Sequence, residues 1–293
     1  MPELPEVETV KRGLEGRIVG KTVVKVDFDW PKGFPNAPGD VEAFLLGASI
    51  TQIQRRGKAL IIEISTGYAL VIHLKMTGQL VFVAANQSDR FGAGHPNESL
   101  VAKLPDTSTR VVLDFSDGSK LYFNDQRKFG WMRLMPILAV EDLPFFQKLG
   151  PEPMASSTTN AMLRARFTNR KNSMIKAALL DQSVLAGVGN IYADEALWGA
   201  KIHPRTRVGQ LSNSELNTLF TELRSIMEQA IASGGSTDKN YVNADGQKGS
   251  YLQIARVFRR EGQLCKRCQT TIEKIRIVSR GTHICSACQK ERL

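Results

Sequence analysis

The sequence predicts an α+β fold: an N-terminal β-sandwich preceded by one helix, then a helical domain and a C-terminal β-hairpin. Three observations predict it. Short runs rich in β-branched residues, separated by turn residues, fill residues 22–135. Helical periodicity dominates from residue 156 onward. All four cysteines lie near the end of the chain, from Cys265 to Cys288. The chain has 293 residues, which is long enough for two domains.

The first predicted helix begins at Pro5, because proline suits the first turn of a helix, where its missing N–H costs nothing. Val7, Val10 and Leu14 then form an apolar stripe at helical spacing. We expect the helix to weaken at the glycines Gly13, Gly16 and Gly20. The N-terminal end of this helix points back toward Pro2.

Eight short runs predict the strands of a sandwich or flattened barrel. They cover residues 22–30, 48–54, 59–65, 68–74, 79–84, 110–115, 120–124 and 130–135. One short helix is expected over residues 40–47. Residues 86–109 are polar and carry glycine and proline, so we expect a long loop there.

A linker is predicted at residues 137–155, where Gly150-Pro151-Glu152-Pro153 interrupts regular structure. We therefore expect an N-terminal domain over residues 1–136, a helical domain over 156–250 and the cysteine-bearing hairpin over 251–293. Helices are expected at residues 161–168, 173–181, 190–199 and 212–233. The polar stretch 237–249 predicts a binding loop or lid.

The charge balance favours a polyanionic partner, since the net charge is +10. Much of the excess lies between Tyr251 and Leu293, which hold ten Lys or Arg residues against three acidic ones. No apolar run is long enough to span a bilayer. Charges near the N-terminus interrupt any signal peptide, so we expect a cytoplasmic protein without a membrane partner.

The first residues carry groups suited to covalent chemistry. If Met1 is removed, Pro2 becomes a free secondary amine, and an α-amino group has a pKa of about 7.7–8. Such an amine can attack an aldehyde-like carbon and form a positively charged iminium. The positive end of the helix dipole favours the neutral amine and holds Glu3 close to it. An ordinary processed N-terminus is the competing interpretation.

The cysteine spacing is typical of a zinc ribbon. Cys265 and Cys268 are separated by two residues, as are Cys285 and Cys288, and no cysteine is left over. Disulfides are the alternative, but a cytosolic chain keeps its thiols reduced. Four thiolates leave no open position, so the zinc would be structural. We expect His283 at the surface or beside the ligands rather than among them.

The hairpin between the cysteine pairs predicts a nucleic-acid-binding finger. Apolar residues at Ile272, Ile275 and Ile277 fit two strands, and Arg280-Gly281-Thr282 fits the tip. The basic charge of this segment supports contact with a polyanion. A zinc site that only stabilises the C-terminus is the alternative.

A glycine-rich turn, Ala186-Gly187-Val188-Gly189-Asn190, joins two predicted helices. Asn190 is a strong helix N-cap, and glycines let backbone amides approach an anion at the positive end of the helix. The turn therefore suits DNA phosphates.

Together these motifs resemble formamidopyrimidine-DNA glycosylase over essentially the whole chain. The matching segments are Met1-Pro-Glu-Leu-Pro-Glu-Val-Glu-Thr-Val10, Gly189-Asn190-Ile191-Tyr192-Ala193-Asp194-Glu195 and Arg280-Gly281-Thr282-His283. The resemblance implies a β-sandwich domain and a helix–two-turns–helix domain with a β-hairpin zinc finger. It also implies one structural zinc ion and removal of oxidised purines from double-stranded DNA, followed by β,δ-elimination. A cleft enzyme of this kind needs no dimer, so a monomer is expected.

The resemblance also implies roles for individual residues. Pro2 would attack C1′ of the damaged nucleotide, Glu3 would act as the acid, and Glu6 would help to form the lesion pocket. Lys58 would support β-elimination, and Arg280 δ-elimination and phosphate binding. The implied DNA-binding residues are His73, Met76, Arg127, Lys128, Phe129, Lys171, Lys176 and Asn190. Met76, Arg127 and Phe129 match the trio that fills the gap left by an extruded base. Residues 237–249 would be the lesion-recognition loop.

The sequence departs from the family pattern at three places. Ser108-Thr109-Arg110 stands where a histidine often touches DNA, and Arg110 could replace it. Phe258-Arg259 replaces a Tyr-Gly pair at the approach to the finger. The stretch 86–109 is longer than usual.

Two rival functions share part of the evidence. A glycosylase of the endonuclease VIII type, which prefers oxidised pyrimidines, also begins with Pro2 and Glu3. A non-catalytic zinc-finger DNA-binding protein would keep the charge and the finger without needing a free Pro2.

Overall fold

A computed structural model describes residues 1–87, 89–95, 97–236 and 251–292. The chain forms two compact units. One comprises Met1–Gln147 with Ser233–Ser250, and the other Lys148–Ala232 with Tyr251–Leu293. The first boundary falls inside the predicted linker 137–155, and the cysteine-bearing hairpin belongs to the helical unit. Ser233–Ser236 group with the first unit instead of the helical one. The predicted loop 237–249 lies outside the described residues.

The first unit is the predicted β-sandwich with an N-terminal helix. Its elements are α1 (Leu4–Ile18), β1 (Val23–Phe28), α2 (Pro38–Phe44), β2 (Ile50–Arg56), β3 (Ala59–Ile64), β4 (Tyr68–His73), β5 (Gly78–Val83), β6 (Arg90–Gly94), β7 (Thr109–Phe115), β8 (Lys120–Asp125), β9 (Trp131–Pro136) and α3 (Pro144–Gln147). One sheet has the order β1-β7-β8-β5-β6 and the other β2-β3-β4-β9, with antiparallel neighbours throughout. Apolar side chains of both sheets and of α1 share one core.

Helix α1 is longer than its glycines suggest. It continues through Gly13 and Gly16 to Ile18, because Val10, Leu14 and Ile18 are buried on one face. Gly13 is required by packing, since a Cβ atom there would overlap the ring of Phe91 on β6. Gly13 was expected to weaken α1, but it is the residue at which α1 approaches β6.

Strand β6 corrects the expectation of a loop over residues 86–109. Its glycines disguise it, because glycine is depleted in strands. The structure uses them for close approach: a Cβ atom on Gly92 would lie 3.0 Å from Leu100 Cδ2. The backbone of β6 pairs with β5, and Phe91 is buried beneath α1.

The segment that follows β6 is held against this strand by Arg90. The Arg90 guanidinium donates to the carbonyl oxygens of Ser99 (3.1 Å), Leu100 (2.9 Å) and Ala102 (2.6 Å). Asn97 caps a short turn over Glu98–Leu100 by accepting from Ser99 N. Residues 98–102 are therefore fixed next to the last strand of the five-stranded sheet.

The second unit is helical and ends in the predicted hairpin. Its elements are α4 (Asn160–Thr168), α5 (Ile175–Leu180), α6 (Asn190–Gly199), α7 (Asn213–Ala232), α8 (Tyr251–Ile254), β10 (Glu273–Ile277) and β11 (Arg280–Ile284). Helix α6 is nearly all buried and packs against α5, α7 and β11. Among the described residues, no helix is both long and apolar enough to cross a membrane.

Two carboxylates on buried helix α6 anchor the segment that leads to the finger. Glu195 accepts backbone N–H bonds from Arg256, Val257 and Phe258, each at 2.8 Å, and a bond from the Tyr251 hydroxyl at 3.1 Å. Buried carboxylates are tolerated when hydrogen bonds satisfy them. Asp194, the other carboxylate, belongs to the site described below.

Candidate functional site

The start of the chain is buried in the first unit. Pro2 is buried, Glu3 is 4% exposed, and only Met1 extends into solvent with 54% of its surface exposed. Glu3 is the N-cap of α1, so both residues lie at the positive end of the helix dipole. Burial strengthens the electrostatic effect of that end on a nearby amine.

Glu6 holds this terminus with both carboxylate oxygens. Oε2 accepts from Glu3 N and Oε1 accepts from Ser236 N, each at 2.9 Å. Ser236 immediately precedes the predicted lesion-recognition loop. The structure thus brings the predicted pocket residue together with Glu3 and with the last described residue before that loop.

Lys58 lies on the turn between β2 and β3 and is only 5% exposed. Glycine at position 57 makes the turn possible, since its φ is +59°. The Arg55–Glu8 ion pair, 3.0 Å long, ties this hairpin to α1. A lysine buried this far is unlike an ordinary exposed strand lysine.

The predicted gap-filling trio lies on two neighbouring loops, which run between the sheets from β4 to β5 and from β8 to β9. Met76 is 41% exposed and Phe129 is 52% exposed. Arg127 joins them: its Nη1 lies 3.5 Å from Met76 Sδ, and its Cζ lies 4.6 Å from the Phe129 ring centroid. Lys128 is exposed on the same loop. Exposed apolar side chains held together in this way are suited to entering a base stack.

His73 is brought to the same region and is buried there. It is 5% exposed and packs edge-on against Phe145 with centroids 5.2 Å apart. Burial, then the positive charges of Lys75 and Lys58, lower the pKa of His73 to about 3. The neutral ring accepts a hydrogen bond from Lys75 N at Nδ1, 3.0 Å away. His73 thus holds the start of the Met76 loop, and its expected DNA contact stays a prediction.

Arg110, the expected replacement for a DNA-contacting histidine, is held by backbone carbonyl groups, and its DNA contact stays a prediction. Its guanidinium donates to the carbonyl oxygens of Asp125 (2.9 Å), Thr107 (2.9 Å) and Thr109 (3.3 Å). These backbone bonds occupy Nε, Nη1 and Nη2. Arg110 thus braces the end of β8.

His95, which the sequence did not single out, directly follows β6. Its backbone N–H donates to the Gly78 carbonyl at 3.1 Å, so it lies beside the Met76 loop. Burial, then the positive chain terminus, lowers the pKa of His95, whereas Asp125 raises it and Arg127 lowers it. The available signal was a histidine in a stretch that was interpreted as loop.

In the second unit, the turn between α5 and α6 is organised by one side chain. Gln182 accepts from Gly187 N at 2.9 Å and donates to the Val188 carbonyl at 2.8 Å. Gly189 occupies the N-cap of α6, so the expectation that Asn190 is the cap is wrong. Asn190 is the first helical residue, and its Nδ2 donates to the Gly281 carbonyl at 2.9 Å. It therefore joins this turn to the hairpin.

Lys176 and Lys171, both expected to contact the DNA backbone, are in opposite environments. Lys171 is exposed. Lys176 is fully buried, and its Nζ lies 2.5 Å from Asp194 Oδ1 and 2.6 Å from Thr282 Oγ1. The expected phosphate contact of Lys176 stays a prediction, and in this structure its ammonium is paired with Asp194 and Thr282. Its place is inside the junction of α5, α6 and β11.

Asp194 and the hairpin complete this junction. The second oxygen of Asp194 accepts from His283 N at 2.9 Å and lies 3.2 Å from His283 Nδ1. His283 is buried, not at the surface. The hairpin turn is Val278-Ser279, with positive φ angles of +44° and +60°, and exposed Arg280 directly follows it. The predicted tip residue is thus one position past the turn itself.

The four cysteines form a closed metal site. Their Sγ atoms all lie within 4.8 Å of one another, and none is in a disulfide. Tetrahedral zinc with Zn–S bonds of about 2.3 Å places sulfurs about 3.8 Å apart. The observed separations of 4.0 Å for Cys265–Cys288 and 3.5 Å for Cys288–Cys268 bracket that value. The donor set fits zinc, and no open position remains for catalysis.

Buried Gln289 connects the metal site to the helical unit. Its Oε1 accepts from Cys285 N, and its Nε2 donates to the Ile202 carbonyl, both at 3.0 Å. Trp198 of α6 packs against Cys265 and Ile272. The zinc therefore fixes the hairpin on α6.

Family models match three consecutive parts of the chain. The formamidopyrimidine-DNA glycosylase N-terminal domain matches residues 1–132, and the H2TH domain of the same enzymes matches residues 149–241. A zinc finger found in FPG and IleRS matches residues 262–290.

Full-length relatives and solved structures agree with these models. Proteins named formamidopyrimidine-DNA glycosylase from Latilactobacillus sakei and Bacillus subtilis are each 39% identical over 295 residues, covering 100% of this chain and 99% and 100% of theirs. A Lactococcus lactis FPG mutant with Fapy-dG-containing DNA superposes with a TM-score of 0.86 at 34% identity, covering 99% of this chain and 100% of that one. A MutM complex with carbocyclic 8-oxo-G DNA gives a TM-score of 0.84 at 33% identity, with the same coverage.

Proposed function

The chain belongs to the formamidopyrimidine-DNA glycosylase family, and on that premise we propose that it removes oxidised purines from duplex DNA and then cleaves the abasic site. The observation that carries the proposal is the buried Pro2-Glu3 pair at the N-terminal end of α1. Related proteins have been captured with Fapy-dG, 8-oxo-G and abasic-site DNA. The substrate class proposed here is the one those lesions share.

Pro2 is the proposed nucleophile, once Met1 has been removed. With Met1 attached, its nitrogen is a tertiary amide and cannot attack. The free amine attacks C1′ of the damaged nucleotide, the bond from C1′ to the base breaks, and the base leaves with the bonding electrons and gains a proton. Opening of the sugar ring then gives an iminium between Pro2 nitrogen and C1′. The helix dipole disfavours the competing ammonium form.

Glu3 is the proposed acid, which gives its proton to the sugar ring oxygen or to a leaving group. Its burial beside Pro2 at the start of α1 keeps it next to the proposed nucleophile. Glu6 positions Glu3 through the bond from Glu3 N. We assign Lys58 to β-elimination, in which a proton leaves C2′ and the 3′-phosphate departs. Arg280 is assigned to the δ-step and to holding phosphate.

The remaining proposed DNA contacts form two groups, those that fill the gap in the base stack and those that contact the backbone. Met76, Arg127 and Phe129 fill the gap left by the extruded nucleotide, and Arg127 can also hydrogen-bond the orphaned base. Lys128, Lys171 and Asn190 face the sugar-phosphate backbone, where contacts position the duplex without reading its sequence. We propose His73 and Lys176 as further backbone contacts, although both are buried in the DNA-free chain.

The structural zinc is held by Cys265, Cys268, Cys285 and Cys288 and keeps the hairpin folded. We further propose that the enzyme acts as a monomer on chromosomal DNA in the cytoplasm. Its functional division is a catalytic domain over residues 1–136, a linker over 137–155, a helix–two-turns–helix domain over 156–250 and the finger over 251–293.

Borohydride trapping tests the central step. Protein whose first residue is verified as Pro2 by intact mass is incubated with duplex DNA containing 8-oxoguanine and then reduced. A covalent adduct is expected, and Pro2→Gly should keep DNA binding but strongly reduce trapping. An undiminished adduct from that variant would assign the nucleophile to another amine. Absence of any adduct from verified wild-type protein would favour the non-catalytic DNA-binding alternative.

A second measurement separates the purine enzyme from the endonuclease VIII type. Single-turnover excision is compared on otherwise identical duplexes that contain 8-oxoguanine or an oxidised pyrimidine. Faster excision of the purine is expected. Faster release of the pyrimidine would overturn the proposed lesion class while leaving the Schiff-base chemistry intact.

A further inference from the structure

Asp125 is a fully buried carboxylate to which the proposed chemistry gives no role. It is the last residue of β8 and pairs with Gly78, the first residue of β5. The two loops that carry Met76, Arg127 and Phe129 begin or end at this pair. Asp125 therefore lies where both loops meet the five-stranded sheet.

Both carboxylate oxygens of Asp125 are engaged by these loops. Oδ1 accepts from the Thr77 hydroxyl and, at 3.2 Å, from Arg127 N. Oδ2 accepts from Gly130 N at 2.7 Å. A carboxylate that accepts backbone N–H bonds makes charge-assisted contacts, which are stronger than neutral ones. One side chain thus holds Thr77, next to Met76, and both ends of the loop from Arg127 to Gly130.

The backbone of Asp125 is fixed as well. Its N–H donates to the Ser108 carbonyl at 2.8 Å, and its carbonyl accepts from Arg110 Nε at 2.9 Å. The carboxylate is therefore presented by a rigid strand end. A loop held in this way loses little conformational entropy when it enters DNA, since it is already ordered.

We propose that Asp125 is a positioning residue that presets the gap-filling trio before DNA is bound. Without it, Met76, Arg127 and Phe129 remain on the protein but lose their common geometry. The step that suffers is extrusion of the damaged nucleotide, not the chemistry at Pro2. This inference rests on the proposed function, because it assigns Asp125 to the base-extrusion step of that reaction.

The main probe is Asp125→Asn, which keeps one acceptor oxygen but turns an N–H group toward the backbone N–H of either Arg127 or Gly130. Two substrates separate the steps. A duplex with 8-oxoguanine requires base extrusion, whereas single-stranded DNA with an abasic site has neither a damaged base nor an opposing strand. Asp114→Asn is the matched control, since that carboxylate lies on β7 and pairs with Lys120 at 2.9 Å.

Loss of a charge-assisted hydrogen bond predicts a decrease of about tenfold to a hundredfold in single-turnover excision from duplex DNA by Asp125→Asn. Cleavage of the single-stranded abasic site should be unchanged, and Asp114→Asn should match wild type on both substrates. Equal loss on the two substrates would overturn the inference, because a merely structural role affects both.

A double-mutant cycle with Phe129→Ala gives the sharper criterion. If Asp125 acts through the trio, the double variant should be about as slow as the slower single variant. If the rate decrease of the double variant equalled the product of the two single-variant decreases, the inference would be overturned. Should Asp125→Asn not fold by circular dichroism, the same cycle with Thr77→Val decides the matter by the same two outcomes. Excision by wild type in these assays shows that the proposed function stands whichever outcome is found for Asp125.

Discussion

The Nζ atom of Lys176 lies 2.5 Å from Asp194 Oδ1, and both side chains are fully buried. The pair joins α5 to α6, and the other oxygen of Asp194 holds His283 N of β11. A buried ion pair contributes little net stability but is costly to break from one side, because the remaining charge loses its partner. The position of the hairpin therefore depends on Lys176, a residue that the family resemblance implies as a DNA contact.

Lys176→Ala should therefore act on stability, and exposed Lys171→Ala on DNA binding. We expect the first to lower the free energy of unfolding by about 3–5 kcal/mol. The second should leave stability unchanged and reduce the slope of log affinity against log salt by about 1, as loss of one phosphate contact does. Urea unfolding and salt-dependent DNA titration measure the two effects. If Lys176→Ala were as stable as wild type, the buried ion pair would not matter and a direct DNA contact by Lys176 would be favoured.

His73 predicts a specific loss of stability in acid. Burial, with Lys75 and Lys58, lowers its folded-state pKa to about 3 from a reference value of 6.5. Between these values the unfolded chain binds a proton that the folded chain does not. The contribution of His73 to stability is therefore constant above about pH 6.5 and decreases as pH falls toward 3.

His73→Asn keeps an acceptor near the position of Nδ1 but removes the titrating group. Wild type should lose about 1 kcal/mol more stability per pH unit than this variant between pH 6 and 4. Urea unfolding across that range measures the difference. Parallel pH curves for the two proteins would contradict the assignment.

Two glycines of α1 should respond in opposite directions to the same substitution. A Cβ atom at Gly13 meets the Phe91 ring, whereas one at Gly16 has nothing within 4 Å. We expect Gly13→Ala to destabilise the protein by about 1–3 kcal/mol through overpacking. Gly16→Ala should stabilise it by about 0.5–1 kcal/mol, because alanine is the better helix former. If the two variants changed the free energy of unfolding equally in chemical denaturation, the close packing of α1 on β6 at Gly13 would be contradicted.

Removal of zinc should weaken DNA binding, because metal binding and folding of the hairpin are one process. We expect one zinc ion per chain by atomic emission, and at least about a tenfold loss of duplex affinity when it is chelated or when Cys268 is changed to Ser. Ser286→Ala is the control, since Ser286 lies between two ligands and is not one itself. If the zinc-free protein bound duplex DNA with unchanged affinity, the finger would not contribute to DNA binding.

The sequence predicted those parts of the fold whose signals are local. The β-branched runs, the helical stripe of Val7, Val10 and Leu14, and the cysteine spacing each report an element directly, and the structure confirms the strands and the four-cysteine cluster. Strand β6 was missed because glycine weakens the strand signal, although here glycine serves packing against Leu100.

The supporting residues of the site could not be predicted in the same way. Lys176, His73 and Arg110 are chemically suited to contact DNA, and nothing adjacent in sequence reveals that each is engaged inside the protein. Asp125 likewise appears as one more polar residue after a strand. Their roles depend on partners brought together by the fold, which residue type and spacing do not encode.

The segment that Arg90 holds beside β6 has a consequence for how this protein behaves at high concentration. Strand β6 is the last strand of its sheet, and exposed strand edges can recruit other chains by backbone pairing. Arg90 fixes the carbonyl groups of Ser99, Leu100 and Ala102 next to that strand. We expect this segment to hinder such pairing, so that its loss would be noticed first as turbidity.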